Sequence, residues 1–553
     1  MIRLLALLLF AIPALASDVT VAPTIGWISR APELEYVWDS ANPNVDGWPL
    51  AGTTVTWRAH VRSWRAEASS VPYVWRVDGV EAARGTVTLA PNAVTVVELP
   101  WLWTFDRHRI AFAFIDETGG TSELEVFSDA LSVGFWVEQS FYDYFRANQS
   151  SLGIGSTGFE DWAQRTIGLF NDMAGLAGVI DRWRLQKIVI VPNGALPLNG
   201  LPPDASLGAN GATHPDRLDR TVDLMWGFRN AHLNQYTRGT RIDPLNWFYT
   251  GVGALHELGH ARYLVDVYAW DVRHAPPHFV IDVPGVVPVE AGGLVHRTPE
   301  QGLMNKHYSF IDRYSAIAMN RIAGRRAVLG NYNEPRNFAS FLNDLPAQNR
   351  VTIRDGNGVA IPNAEVLVYQ ATRTSPTPLW YGAHFDATPD LTLRTDAFGR
   401  VLVGRSPFGE VVHAPDLNTG VVIVRVGDRV GYLESRLFNL AYWRGETELA
   451  DHELIVGREC GSEGPRLRGP SWDEVTAGPV TLEWDSMVDA TRYRVYANGR
   501  LVGSTRSTAI DVRLDGRVYW WVEAELGVCG TRRSYPSRFV ASNETVMRRR
   551  AVR

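Results

Sequence analysis

From about residue 18 to 133 apolar and polar positions alternate along the chain, the period of a half-buried strand. "TTVTWRAHVRSW" (53–64) shows the alternation, and "RIAFAFID" (109–116) continues it. "YVWRVDGVEAARGTVTL" (73–89) sets Asp78-Gly79 between two such runs, which predicts a hairpin. Strand-length runs separated by turn residues predict a β-sandwich over 17–134. The pattern changes near 135. "FWVEQSFYDYFRANQ" (135–149), "FEDWAQRTIGLFNDMAGLAG" (159–178) and "WFYTGVGALHELGHARYLVDVY" (247–268) have helical spacing of apolar residues. "LQKIVIVPNG" (185–194) and "TVDLMWGF" (221–228) read as short buried strands between them. Mixed elements over this length predict one α+β domain over 135–345. Alternation returns in "NRVTIRDGNGVAIPNAEVLVYQ" (349–370) and "TLRTDAFGRVLVG" (392–404), predicting a second sandwich over 346–456. "VTLEWDS" (480–486), "ATRYRVYANGRLVGST" (490–505) with a hairpin at Asn498-Gly499, and "RVYWWVEAE" (517–525) predict a third over 457–545. The expected fold class is multidomain, a central α+β unit with β-sandwiches on both sides.

Length agrees with this division, since 553 residues suggest about three to five domains. The formal charge is −6 with both signs interspersed, which is no footprint for nucleic acid. At the N-terminus, Arg3 precedes an apolar run from Leu4 to Ile12, and Ala14-Leu15-Ala16 ends it with small residues. That is the layout of a secretory signal peptide over 1–16, too short to span a bilayer comfortably. No later stretch reads as a membrane span, so the expectation is an exported, soluble protein, extracellular or periplasmic. The two cysteines are Cys460 and Cys529. Export predicts a disulfide between them, with two separate thiols as the alternative.

The candidate chemistry lies in "GALHELGHARYLVD" (253–266). His256 and His260 stand four apart, so on a helix both imidazoles face one way. That suits Zn2+, which takes His, Cys and carboxylate ligands and in catalytic sites keeps one position for water. Glu257 follows the first histidine and is placed to act as general base toward a zinc-activated water. A third ligand is still needed. On an unbroken helix Asp266 would lie about 280° around from His256, away from the histidine face. It joins the site only if the chain leaves the helix soon after His260 and turns back.

His256, Glu257, His260 and Asp266 together match HExxHxxxxxD, and in this the chain resembles the metzincin clan of zinc metallopeptidases. Tyr263 stands where the clan's motif has a glycine that makes the turn, a position where a side chain meets a steric penalty at positive φ. The resemblance implies a methionine in a tight turn beneath the metal. Met304, in "TPEQGLMNKHYSF" (298–310) ahead of a helical run at 315–330, is the candidate, with Met319 second. It also implies that an edge strand, here "TVDLMWGF", pairs with extended substrate. Glu290 is an alternative third ligand of thermolysin type, and His274, His278, His307 and Tyr308 are further polar candidates. The flanking units resemble, in order, bacterial immunoglobulin-like, carboxypeptidase-regulatory (transthyretin-like) and fibronectin type III domains.

The expected function is therefore a secreted zinc-dependent endopeptidase acting on protein or peptide substrates. Its accessory domains would bind surface proteins or polysaccharides. The contrasting expectation is a catalytically silent, surface-binding or adhesive protein, which the three sandwich patterns support and the complete His256-Glu257-His260 core argues against.

Overall fold

The computed structural model describes residues 23–35, 47–115, 121–147, 158–196, 219–228, 252–262, 264–273, 280, 283–286, 294–299, 302–306, 310–326, 343–371, 385–408, 420–458, 464–470 and 474–542. The stretch read as a signal peptide lies outside them. Most of the described structure is β-sheet, with few helices.

The first unit is a sandwich of two antiparallel sheets. One holds β1 (Thr24–Ala31), β2 (Thr54–Arg62) and β5 (Val94–Leu102), in the order β1-β2-β5. The other has the order β4-β3-β6-β7, from β3 (Ser69–Val77), β4 (Val80–Leu89), β6 (Arg109–Ile115) and β7 (Thr121–Phe127). Alternation in the sequence becomes alternation in burial: Val55, Trp57, Ala59 and Val61 of β2 all face the core. Trp75 meets Phe112 edge-on at 5.0 Å across the second sheet. Asp78 and Gly79 both have positive φ, 52° and 82°, as the tight hairpin requires.

The central unit begins at β8 (Leu131–Glu138), four residues before the expected boundary at 135. β8 is the middle strand of a parallel sheet, order β10-β8-β9, with β9 (Trp183–Val191) and β10 (Leu224–Phe228). All eight residues of β8 are buried. A strand covered on both faces shows no alternation, which is why Phe135–Glu138 read as the start of a helix. The helix α1 (Gln139–Ala147) starts only after it, and α2 (Phe159–Ala177) follows. α3 (Val252–His260), α4 (Leu303–Lys306) and α5 (Arg313–Asn320) complete the unit's α-helices among the described residues. α5 is capped by Asp312, whose side chain accepts from Ser315 N at 2.8 Å.

The third unit is again two sheets. Gln348–Arg354 pairs parallel with Leu449–Ile455 and antiparallel with Arg400–Leu402. The facing sheet runs Leu391–Arg394, Glu365–Gln370, Val421–Val426, Arg429–Glu434. Its two aspartate turns close as read from the sequence. Asp355 Oδ1 accepts from Asn357 N and Val359 N, and Asp396 Oδ1 from Phe398 N and Arg400 N, all at 2.8–2.9 Å. A helix absent from the sequence reading, α6 (Ser435–Trp443), leaves this unit and docks on the central one. There Tyr314 donates its hydroxyl to Asn439 Oδ1 at 3.0 Å and stacks on Trp443 at 5.4 Å. The last unit has its own core around Trp484, Trp520 and Phe539, with Trp484 edge-on to Tyr493 at 5.5 Å. Its hairpin turns on Asn498 and Gly499, at φ 47° and 79°. Cys529 is disulfide-bonded, and the chain's other cysteine, Cys460, lies outside the described residues.

The first three units are not beads on a string, because one apolar core runs from Ile28 through Leu255 and Met304 to Val456. Polar contacts cross the seams as well. Glu434 of the third unit receives His296 Nε2 at 2.7 Å, Thr298 Oγ1 at 3.0 Å and the guanidinium of Arg436. Burial pushes the Glu434 carboxyl up, but the charge of Arg436 and the His296 hydrogen bond outweigh it and hold the group at about 2. Its folded pKa thus lies below the ordinary 4.5. A depressed carboxylate stabilises the fold above the unfolded pKa and loses that contribution as pH falls through the folded one. The stability gap between the wild type and Glu434→Gln should therefore be on the order of 3 kcal/mol near neutrality. It should close as pH drops from 4.5 toward 2, as measured by denaturant unfolding at each pH. A gap independent of pH would contradict this assignment.

Candidate metal centre

α3 presents Val252, Leu255 and Leu258 to the core and carries His256, Glu257 and His260 in one stretch. The helix stops at His260. Arg262 N and Leu264 N both donate to the Gly259 carbonyl, at 2.8 and 3.2 Å, which folds the chain back at once. Tyr263, within this turn, lies outside the described residues. The return brings Asp266 to the histidines instead of 280° away from them. Its Oδ1 stands 3.0 Å from His256 Nε2 and 3.3 Å from His260 Nε2. The imidazole centroids are 4.8 Å apart and nearly perpendicular, at 86°. His256, His260 and Asp266 are all buried.

The far side of each ring is fixed by backbone. His256 Nδ1 donates to the Leu303 carbonyl and His260 Nδ1 to the Leu264 carbonyl, both at 2.8 Å. A carbonyl only accepts, so both Nδ1 atoms carry the proton. In the neutral rings the lone pairs are then on Nε2, facing Asp266. Asp266 Oδ1 is buried and is aligned for a hydrogen bond with neither nitrogen. With both rings neutral, three lone-pair donors thus face one another. Ligands about 2.0–2.2 Å from a tetrahedral zinc stand roughly 3.3–3.5 Å from one another; the two histidine–aspartate distances are close to this, and the three ligand atoms all lie within 4.8 Å of one another. Two imidazoles and a carboxylate also form a donor set that zinc accepts. Without a cation the cluster meets its charge by protonation. Burial alone would lower His260, but the Asp266 carboxylate more than offsets it and raises the imidazole to about 9. Burial pushes Asp266 up, yet the two histidines hold it well below the usual carboxylate range.

Glu257 is half-buried on the same helix. Met304 is fully buried on α4. A Cβ placed on Gly259 would lie 2.9 Å from Met304 Sδ, so the methionine packs directly against the helix between the two histidines. The residue before it supplies the carbonyl that orients His256. Met319 is buried in α5, and the structure gives it no part in the cluster. Glu290, His274, His278, His307 and Tyr308 lie outside the described residues. Sequence reading missed the carbonyls of Leu303 and Leu264, since a backbone acceptor leaves no mark in residue type. It also missed Arg262, which is fully buried and ties the turn after His260 to Asp181 Oδ2 at 2.6 Å and to the Ile322 and Arg325 carbonyls.

No family model matches the chain. A poly(3-hydroxybutyrate) depolymerase of Ralstonia pickettii is 28% identical over 120 residues, 21% of this chain and 22% of that enzyme. The chain thus spans about a fifth of that relative's length. Among solved structures, a cycloisomaltooligosaccharide glucanotransferase of Paenibacillus sp. aligns at 19% identity over 22% of this chain and 18% of that one, with a TM-score of 0.13. A β-glucuronidase of Bacteroides uniformis aligns at 9% identity over 94% and 61%, with a TM-score of 0.18. Neither alignment is close enough to assign a fold.

Met304 acts on the cluster through packing, so shape should matter more than sulfur. Met304→Leu should cost less than about 1.5 kcal/mol, and Met304→Ala about 2–5 kcal/mol through the cavity it leaves. Urea denaturation of the two variants checks this. Equal losses would mean that the thioether itself is needed.

Proposed function

We propose that the chain is an exported, zinc-dependent endopeptidase whose metal is held by His256, His260 and Asp266. One observation carries the reading: a buried carboxylate oxygen without an aligned hydrogen bond lies between two Nε2 atoms whose rings are locked from behind. When bound, zinc supplies Lewis acidity to a carbonyl and lowers the pKa of a coordinated water.

The chain's own groups do the rest. Glu257 accepts a proton from the attacking water as its oxygen bonds to the peptide carbon. It returns that proton to the leaving nitrogen as the C–N bond breaks, so water is consumed and an acid and an amine are released. Leu303 and Leu264 hold the two rings in register throughout. β10 supports the substrate side of the reading. It packs near α3, and among the described residues only β8 pairs with it, so its outer edge is where an extended peptide would add as a strand. The sandwiches are read as binding modules for surface proteins or polysaccharides. The Ralstonia relative is by name an enzyme that breaks down a polymer, which is in keeping with units that hold an enzyme near a polymeric target. Export rests on the N-terminal sequence. Among the described residues no helix is long and apolar enough to cross a membrane.

The purified protein should contain one equivalent of zinc by elemental analysis and should cleave an unfolded protein such as casein. Glu257→Gln should keep the zinc and lose about 100- to 10,000-fold in rate. His256→Ala should lose both. A metal-free wild type with no hydrolysis would favour the silent, adhesive reading, and full activity in Glu257→Gln would remove that residue from its role.

A further inference from the structure

Among the described residues, the seam between the first sandwich and the central sheet buries more positive charge than it answers. Arg30 on β1, Arg184 on β9 and Arg326 after α5 are all buried there. Arg326 is well satisfied. Its Nε meets Asp223 Oδ1 at 2.8 Å, and its terminal nitrogens reach the carbonyls of Leu34, Gly47 and Thr221. Arg184 donates Nη1 to Gln186 Oε1, but its buried Nε has no partner. Arg30 is the extreme case, because its Nε and Nη1 are both buried without a hydrogen bond. Gln186 ties the two strands together, accepting from Arg30 N at 3.1 Å and donating to Arg30 O at 2.9 Å.

A guanidinium does not escape burial by losing its proton under ordinary conditions. The charge balance around the seam can be followed group by group. Lys187 is bonded to Glu33 and Asp219, and Asp223 answers Arg326. Among the described residues, Arg30, Arg184, Arg326 and Lys187 thus face Asp223, Glu33 and Asp219, four positive charges against three negative. Arg30 lies 4.7 Å from the Trp103 ring and 5.3 Å from that of Trp48. Such faces attract a cation, but they give its in-plane N–H groups no acceptor. Burial, and then the charges of Arg184 and Arg326, hold the Arg30 guanidinium well below its usual value, the sign of an environment that wants a negative charge.

We propose that this seam binds one small monovalent anion of the halide class, held by the unpartnered N–H groups of Arg30 within the positive field of Arg184 and Arg326. The anion closes that count and gives the Nε and Nη1 of Arg30 the acceptors that the described residues do not. It lies between the sandwich and the sheet that carries β10, so its effect is to lock the first unit onto the second. A ligand bound only by the folded protein raises the unfolding temperature in a saturable way.

The full-length protein is melted in sodium chloride, sodium bromide and sodium gluconate at equal ionic strength, gluconate being too large for a buried site. The expected result is a saturable rise of a few degrees with either halide over gluconate, absent in Arg30→Met. Crystals soaked in bromide should show anomalous density within hydrogen-bonding distance of Arg30. The density is the deciding reading: its absence from well-ordered crystals at high bromide overturns the proposal. If Arg30→Met does not fold, the wild-type salt comparison and the bromide density still decide.

Discussion

The site is organised by one unfavourable arrangement: a buried carboxylate oxygen held 3.0 and 3.3 Å from two imidazole nitrogens without an aligned hydrogen bond to either. Left as it is, such a cluster is costly, because buried polar groups without aligned partners forfeit their hydration. A cation at their meeting point converts the same geometry into a favourable one. The rest of the local structure keeps these three atoms together. The helix ends at His260, the chain reverses on the Gly259 carbonyl, and the Leu264 carbonyl then closes on His260 from behind. Leu303 does the same for His256, and Met304 fills the space beneath. Arg262 anchors the reversal through Asp181, so the turn is braced from outside as well.

Much of this was legible in the chain, and the illegible parts have physical reasons. Strands with one wet face declared themselves by alternation, as in β2 and the Asn498-Gly499 hairpin. β8 did not, because a strand buried on both faces has the continuous apolar character of a buried helix, and its segment was read as one. α6 went unread inside a run of strands. At the site, His256, Glu257 and His260 could be read from their spacing. The place of Asp266 could not, since it depends on where the helix ends, and Tyr263 at the turn gave no glycine to mark that end. The two orienting carbonyls are invisible to any reading of residue types.

Charged residues misled in another way. In a sequence an arginine is by default a surface group. Here Arg30, Arg184, Arg262 and Arg326 are all buried where the central unit meets itself or the first sandwich. Together with Glu434 they show that the units are joined by ionic groups set into a shared apolar core. Removing one partner from such a pair leaves a buried charge exposed to nothing, which is far more damaging than losing a surface salt bridge. The sandwiches therefore bear on the site mechanically, by fixing the sheet and helices around it.

The most direct test of the central claim is zinc-edge anomalous diffraction from crystals of the full-length protein grown with zinc. The account predicts a single strong anomalous peak coordinated by His256 Nε2, His260 Nε2 and an Asp266 oxygen. A map without density there, or with the metal held by other residues while Asp266 stays apart, would contradict it.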